Sequence, residues 1–138
     1  MESAIHRRNF PEFAELTMCD SNSFHATCLD TWSPIFYMND VSHAAVHLVH
    51  DIKKVAGRTV CAYTFDAGRN AVVYYLEKDS DIVAGTFKGI LSSNTHGSDG
   101  QFGEPVENEM AAVVDTEQLD PNATTFLKEG LGRVIDCS

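Results

Sequence analysis

The chain has 138 residues, of which 43% are hydrophobic and 22% charged, and this balance predicts one globular domain with its own core. Its net charge of -10 argues against nucleic acid and against an anionic membrane surface as partners, because both require a basic patch. There is no apolar run of about 18 residues and no signal-peptide pattern, so we expect a cytoplasmic protein whose four cysteines stay reduced.

Two helices are predicted in the first third of the chain. Apolar residues recur at helical spacing up to about Met18, although Pro11 limits the continuity of that helix. Asp20 and Ser21 are good N-caps, so a second, short helix should begin there and end before Pro34. This second helix contains His25. We interpret His25 as a partly buried, hydrogen-bonded histidine, because no second titratable group is fixed beside it by spacing.

The clearest helix begins at Asn39 or Asp40, which can cap it, and ends at Gly57. Its apolar residues share one face, and three histidines fall together on the opposite side: His43, His47 and His50. Histidines on neighbouring turns can bind a metal ion, but a solvent-facing stripe lacks the second shell of groups that orients such ligands. We therefore predict a solvated polar face and no metal site.

A β-hairpin follows, with strands at 60–65 and 72–76 that are rich in β-branched and aromatic residues. The loop between them contains Gly68 and Asn70, which both tolerate a positive φ angle. Asp66 lies where the first strand ends. A carboxylate on a stiff strand end suits catalysis, whereas the simpler alternative is an Asp that caps its own turn.

After the hairpin, the residues Asp79-Ser80-Asp81 can cap a helix that covers the sheet. The segment 92–105 contains three glycines and no hydrophobic periodicity, so it is predicted to be a flexible, exposed loop without a phosphate-binding motif. Helices are predicted at 106–119 and 123–131, and a strand at 133–137.

Two segments carry a resemblance to a known family: ELTMCDSNSFHATCLDTWSPIFYMND at 15–40 and VCAYTFDAGRNAVVYYL at 60–76. They closely resemble the C-terminal part of diphosphomevalonate decarboxylases, also called mevalonate diphosphate decarboxylases, which belong to the superfamily of galactokinase, homoserine kinase, mevalonate kinase and phosphomevalonate kinase. The resemblance implies an α+β fold with a ferredoxin-like antiparallel sheet and helices on one face, formed by a single domain over 1–138. It also implies that the chain is a fragment that lacks an N-terminal ATP-binding domain.

The resemblance further implies an ATP-dependent carboxy-lyase of isoprenoid and sterol biosynthesis. Such enzymes phosphorylate the 3-hydroxyl of mevalonate 5-diphosphate and then release phosphate and carbon dioxide to give isopentenyl diphosphate. Asp66 maps onto their catalytic carboxylate, and Gly68 and Asn70 onto a loop that contacts the substrate. ATP with Mg²⁺ would be bound mainly by the absent domain, and the complete enzyme would be a homodimer. The family usually has Pro where this chain has Arg69.

Two other interpretations stay open at this point. One is a non-catalytic remnant that binds a protein partner or dimerises, and the other is an unrelated ferredoxin-like module for a small ligand. We favour the decarboxylase, because the resemblance extends over two long segments. We expect the isolated chain to be inactive, since it is acidic and has no phosphate-binding loop.

Overall fold

The computed structural model describes residues 1–92 and 118–130. These residues form five α-helices and one β-hairpin: α1 (Glu2–His6), α2 (Phe10–Asp30), α3 (Asp40–Ala56), β1 (Cys61–Phe65), β2 (Ala71–Tyr75), α4 (Ser80–Ser92) and α5 (Pro121–Gly130). The predicted α+β class and the antiparallel strand pairing are confirmed. No helix within the described ranges is long and apolar enough to cross a membrane.

Two helices precede Pro34, as predicted, but the boundary differs: the short α1 ends at His6, and α2 then continues from Phe10 to Asp30 without the predicted break at Asp20 and Ser21. Helix α2 begins after an N-cap. Asn9 caps it by accepting a hydrogen bond from the Glu12 N–H, and Pro11 stands in its first turn, where a missing N–H costs little. Asp20 and Ser21, predicted as N-caps, lie in its interior. The prediction was wrong because the buried stripe continues past this point through small and polar side chains: Ala14, Thr17, Met18, Ser21, His25 and Cys28.

Helix α3 has the predicted bounds. The Asn39 side chain accepts from the backbone N–H of Ser42, and the Ser42 hydroxyl accepts from the N–H of Asn39, which forms a capping box. At the other end Gly57 adopts the left-handed conformation with a φ of 66°. The buried face of α3 packs against β1 and α5 and supplies much of the core: Ala44, Ala45, Leu48, Val49 and Ile52.

The two strands of the hairpin differ in burial. They pair from Cys61 opposite Tyr75 to Phe65 opposite Ala71, within one residue of the predicted bounds. Strand β1 is almost entirely buried and contacts both α2 and α3, whereas β2 is exposed or half-buried along its length. Helices therefore hold β1 in place, and the loop that leaves its end starts from a rigid position.

Asp79 has a different role from the predicted N-cap. Its carboxylate is buried and accepts two hydrogen bonds from the Arg58 guanidinium, one of them from Nη1 to Oδ2 at 3.1 Å. This ion pair joins the start of β1 to the short 3₁₀ turn, Glu77–Asp79, that leads into α4. The hydrogen bonds from Arg58 lower the pKa of the Asp79 carboxyl below its usual value.

We expect Asp79→Ala to lower the Tm of the chain at pH 7 by about 5 °C. The folded-state pKa of Asp79 lies below its unfolded-state value of about 3.9, so the ion pair contributes its full stability above that pH. The contribution is lost as the pH falls through the folded-state pKa. Thermal unfolding monitored by circular dichroism measures the loss of Tm at pH 7 and its decrease at low pH. Glu77→Ala is the control, because Glu77 is exposed. Equal Tm shifts for the two variants at pH 7 would contradict a stabilising ion pair between Asp79 and Arg58.

Of the elements predicted after residue 92, one helix lies within the described residues, and the others lie mostly or entirely outside them. The helix predicted at 123–131 corresponds to α5, Pro121–Gly130. Most of the predicted loop at 92–105, most of the helix at 106–119 and all of the strand at 133–137 lie outside the described residues.

Candidate functional site

Asp66 directly follows β1, and its side chain is exposed. No described residue donates a hydrogen bond to its carboxylate, so nothing in the described chain supports the interpretation of Asp66 as a side-chain turn cap. The turn is closed by the backbone instead, because the Gly68 N–H donates to the Asp66 carbonyl oxygen at 2.7 Å. The carboxylate is therefore free to contact a ligand.

The carboxylate faces a cleft of about 380 Å³ between α2 and the end of β1. The cleft is lined by four hydroxyl-bearing residues, two aromatic residues and two carboxylates: Ser21, Ser23, Thr27, Thr64, Phe24, Phe65, Asp20 and Asp66. Among the described residues no Lys or Arg lines it. The cleft suits an uncharged, hydroxyl-bearing part of a ligand better than a phosphate group, which needs cations or helix N-termini.

Helix α2 holds the residue that precedes Asp66 through two hydrogen bonds. The Phe65 N–H donates to Ser21 Oγ at 3.0 Å, and His25 Nε2 donates to the Phe65 carbonyl oxygen at 3.3 Å. The predicted hydrogen bonding of His25 is confirmed, and the side chain is more deeply buried than the predicted partial burial, at 9% exposed. Its ring also makes edge contacts with three aromatic rings: Phe24, Tyr37 and Phe65.

The loop after Asp66 differs in detail from the prediction. Neither Gly68 nor Asn70 adopts a positive φ angle. The bond from the Gly68 N–H to the Asp66 carbonyl closes a γ-turn centred on Ala67, and this turn is of the inverse type because φ at Ala67 is not positive. The loop also approaches α3, since the single proton of the Ser42 hydroxyl faces two acceptors, Asn39 Oδ1 at 3.0 Å and the carbonyl oxygen of Arg69 at 3.3 Å. The Arg69 side chain is exposed and forms no ion pair with a described residue.

Ser42 and Ser21 are the site residues that the sequence did not predict. Ser42 stands three residues after the predicted cap Asn39, and a capping box at that spacing is the sequence signal for it. Ser21 carried the opposite signal, because an isolated Ser before an apolar stretch favours a helix start.

A second cleft, of about 390 Å³, lies at the other end of β1. It is lined by the end of α3 and the residues that follow: His50, Lys53, Lys54, Gly57, Arg58 and Thr59. Two of its cations already have partners, since Arg58 pairs with Asp79 and Lys53 lies 3.7 Å from the Glu15 carboxylate. This cleft is separated from Asp66 by the length of β1, so the two do not form one site.

The histidine stripe lies on the exposed side of α3, as predicted for His43, His47 and His50. Within the described part of the chain, no three His, Cys, Asp or Glu side chains are grouped as metal ligands would be. The absence of a physiological metal at the stripe stays a prediction.

Cys61 lies at the opposite end of β1 from Asp66 and carries a thiol, a side chain with nucleophilic chemistry. It is fully buried in β1, and this burial raises the pKa of its thiol to about 12. The thiol is therefore protonated at neutral pH and cannot act as a nucleophile. The cleft has two carboxylates, Asp20 and Asp66, and Asp66 is the one that directly follows the buried strand β1.

Comparison with known proteins agrees with the resemblance carried by the two segments. Residues 1–137 match the family model described as the mevalonate 5-diphosphate decarboxylase C-terminal domain. The diphosphomevalonate decarboxylase of Aspergillus fumigatus is 64% identical over 135 residues, which cover 98% of this chain and 33% of that protein. The Gibberella zeae enzyme of the same name is 50% identical with the same coverage.

Solved structures give the same result. The crystal structure of a mevalonate 5-diphosphate decarboxylase superposes with a TM-score of 0.65 at 40% identity, covering 97% of this chain and 30% of that one. The mevalonate diphosphate decarboxylase of Trypanosoma brucei superposes with a TM-score of 0.62 at 28% identity, covering 90% and 32%. The chain spans about a third of the length of the curated relatives above. A family model that matches nearly every residue, together with this fold, shows that the chain belongs to the mevalonate 5-diphosphate decarboxylase C-terminal domain family.

Proposed function

We propose that this chain supplies the catalytic carboxylate of an ATP-dependent diphosphomevalonate decarboxylase, which converts mevalonate 5-diphosphate to isopentenyl diphosphate. The observation that carries the proposal is Asp66, an exposed carboxylate without a hydrogen bond from any described residue, on a rigid strand end in a hydroxyl-lined cleft. Membership of the decarboxylase family supports the choice of reaction.

The chemistry assigns one proton transfer to Asp66. Its carboxylate would orient the tertiary 3-hydroxyl of the substrate and accept its proton while the hydroxyl oxygen attacks the γ-phosphorus of ATP and ADP leaves. The carbon–oxygen bond to the new phosphate then breaks. Electrons from the carbon–carbon bond to the carboxylate form the double bond, and carbon dioxide is released.

The phosphate groups need other residues. No Lys or Arg among the described residues lines the cleft, and the net charge of the chain is -10. We therefore propose that the rest of a complete enzyme supplies the cations that bind both the nucleotide and the diphosphate. The described residues contain no group of three metal ligands, so we assign no Mg²⁺ ligand to them and expect Mg²⁺ to enter with ATP.

Gly68 and Asn70 are proposed to contact the substrate. A Cβ atom built at Gly68 would meet no atom within 4 Å, so open space lies beside the backbone there. Asn70 is exposed at the far end of the same loop, where its amide can donate to or accept from a ligand. The Arg69 carbonyl oxygen of this loop lies 3.3 Å from the Ser42 hydroxyl of α3, and this contact supports the position of the loop.

Homodimer assembly and a cytoplasmic location complete the proposal. Both are supported by the resemblance to the decarboxylase family. Analytical ultracentrifugation of a complete enzyme that contains this chain tests the first, and a fluorescent fusion to the same enzyme tests the second.

The function is tested by replacing the matching third of the Aspergillus fumigatus enzyme with this chain, which is possible because the two are 64% identical over 135 residues. We expect the hybrid enzyme to release carbon dioxide and ADP in equal amounts from mevalonate 5-diphosphate and ATP. The isolated chain is the control and should release neither. A folded hybrid that binds ATP but releases no carbon dioxide would contradict the proposal.

A further inference from the structure

We propose that Ser21 and His25 act as a clamp that positions Asp66 for catalysis. The two residues are four positions apart on α2 and contact the two backbone polar groups of Phe65, the residue directly before Asp66. This inference rests on the proposed function of Asp66. Both hydrogen bonds go to the backbone of Phe65 and not to a reacting group, so we call Ser21 and His25 positioning residues.

The clamp uses one acceptor and one donor. Ser21 Oγ accepts from the Phe65 N–H at 3.0 Å, and His25 Nε2 donates to the Phe65 carbonyl oxygen at 3.3 Å. A carbonyl oxygen can only accept, so the His25 proton is assigned to Nε2.

The clamp reaches Asp66 through the planar peptide bond. The Phe65 carbonyl and the Asp66 N–H belong to the same rigid peptide unit, so a hydrogen bond to the carbonyl fixes the direction in which the Asp66 backbone leaves β1. On the other side of Asp66, its own carbonyl accepts from the Gly68 N–H at 2.7 Å. Asp66 is thus fixed from both sides, while its carboxylate remains free.

The three residues that form the clamp hydrogen bonds are buried. Phe65, Ser21 and His25 are 3%, 3% and 9% exposed, so water cannot readily replace either hydrogen bond. Ring contacts with Phe24, Tyr37 and Phe65 fix the orientation of the His25 imidazole. The spacing of four residues places both side chains on one face of α2, and this is possible only because α2 continues through Ser21 without a break.

The experiment uses the hybrid decarboxylase that carries this chain. We expect Ser21→Ala and His25→Leu each to lower kcat about tenfold, because a displacement of a reacting group by about 1 Å can cost about 10²-fold. KM for mevalonate 5-diphosphate should change less than about threefold, since substrate binding does not require an aligned carboxylate. His25→Gln should restore most of kcat, because its amide nitrogen can donate to the same carbonyl.

Thr17→Ala is the matched control for a lost hydroxyl. Thr17 is also buried in α2, but its hydroxyl donates within the helix, to the Phe13 carbonyl at 2.8 Å. This variant should keep kcat. If Thr17→Ala lowers kcat as much as Ser21→Ala at an equal loss of Tm, the effect is one of general stability and the clamp is refuted.

A double-mutant cycle separates the clamp from the proposed role of Asp66. In an Asp66→Asn background, Ser21→Ala and His25→Leu should cause less than about a twofold further loss of kcat, because a clamp acts through the carboxylate. Full, multiplicative losses in that background would overturn the clamp. A near-normal rate for Asp66→Asn alone would refute the proposed function, whereas a slow Asp66→Asn with normal Ser21→Ala and His25→Leu would refute only the clamp.

Discussion

We expect Asp66→Asn to lower kcat of the hybrid decarboxylase by about 10²-fold or more, the scale of a positioned acid–base group, and to leave nucleotide affinity unchanged. The amide keeps the size of the carboxylate but cannot accept the proton of the substrate hydroxyl. Because no described residue donates a hydrogen bond to the Asp66 carboxylate, the substitution removes no described contact, and Tm should be unchanged. Steady-state release of carbon dioxide and thermal unfolding measure the two expectations.

Arg69→Pro is the control in the same loop. Arg69 contributes its carbonyl oxygen to the bond from Ser42, and Pro retains that carbonyl. No described residue accepts a hydrogen bond from the Arg69 N–H, so its loss removes no contact in the described chain. We expect Arg69→Pro to leave kcat of the hybrid enzyme unchanged or to raise it. A damaging Arg69→Pro would show that the guanidinium contacts a phosphate in the complete enzyme.

Leu48→Ala should destabilise the chain by about 2–5 kcal/mol, the usual cost of a cavity left by a fully buried leucine. Leu48 lies at the centre of the buried face of α3 and is 0% exposed. Urea unfolding followed by circular dichroism measures the loss. Leu29→Ala is the matched control, because Leu29 is 52% exposed and should cost less than about 1 kcal/mol. Similar losses in both variants would contradict the position assigned to the core.

The sequence predicts the elements of this fold where apolar periodicity and a local stop or start signal agree. Helix α3 has both, with Asn39 at one end and Gly57 at the other, and its bounds are confirmed. The hairpin has β-branched runs on either side of a short loop, and its strand bounds are confirmed within one residue. Local chemistry determines these features, so a single sequence is sufficient to find them.

Features that depend on distant partners were missed. The break predicted at Ser21 was wrong because the hydroxyl faces the Phe65 N–H, 44 residues later in the chain, and no local signal reports that partner. Asp79 was interpreted as a cap for the same reason, since its partner Arg58 is 21 residues away. The position of Asp66 at the strand end was predicted correctly, whereas the two hydrogen bonds that hold Phe65 became visible only in the folded chain.

The central claim is that the Asp66 carboxylate acts in the phosphorylation of the substrate hydroxyl. Rapid-quench single turnovers of the hybrid enzyme, with and without Asp66→Asn, test it most directly because ADP reports phosphorylation and carbon dioxide reports the later bond cleavage. We predict that Asp66→Asn slows the formation of both products together by about 10²-fold or more. ADP formation at the rate of the unsubstituted hybrid enzyme, with or without carbon dioxide release, would contradict the claim.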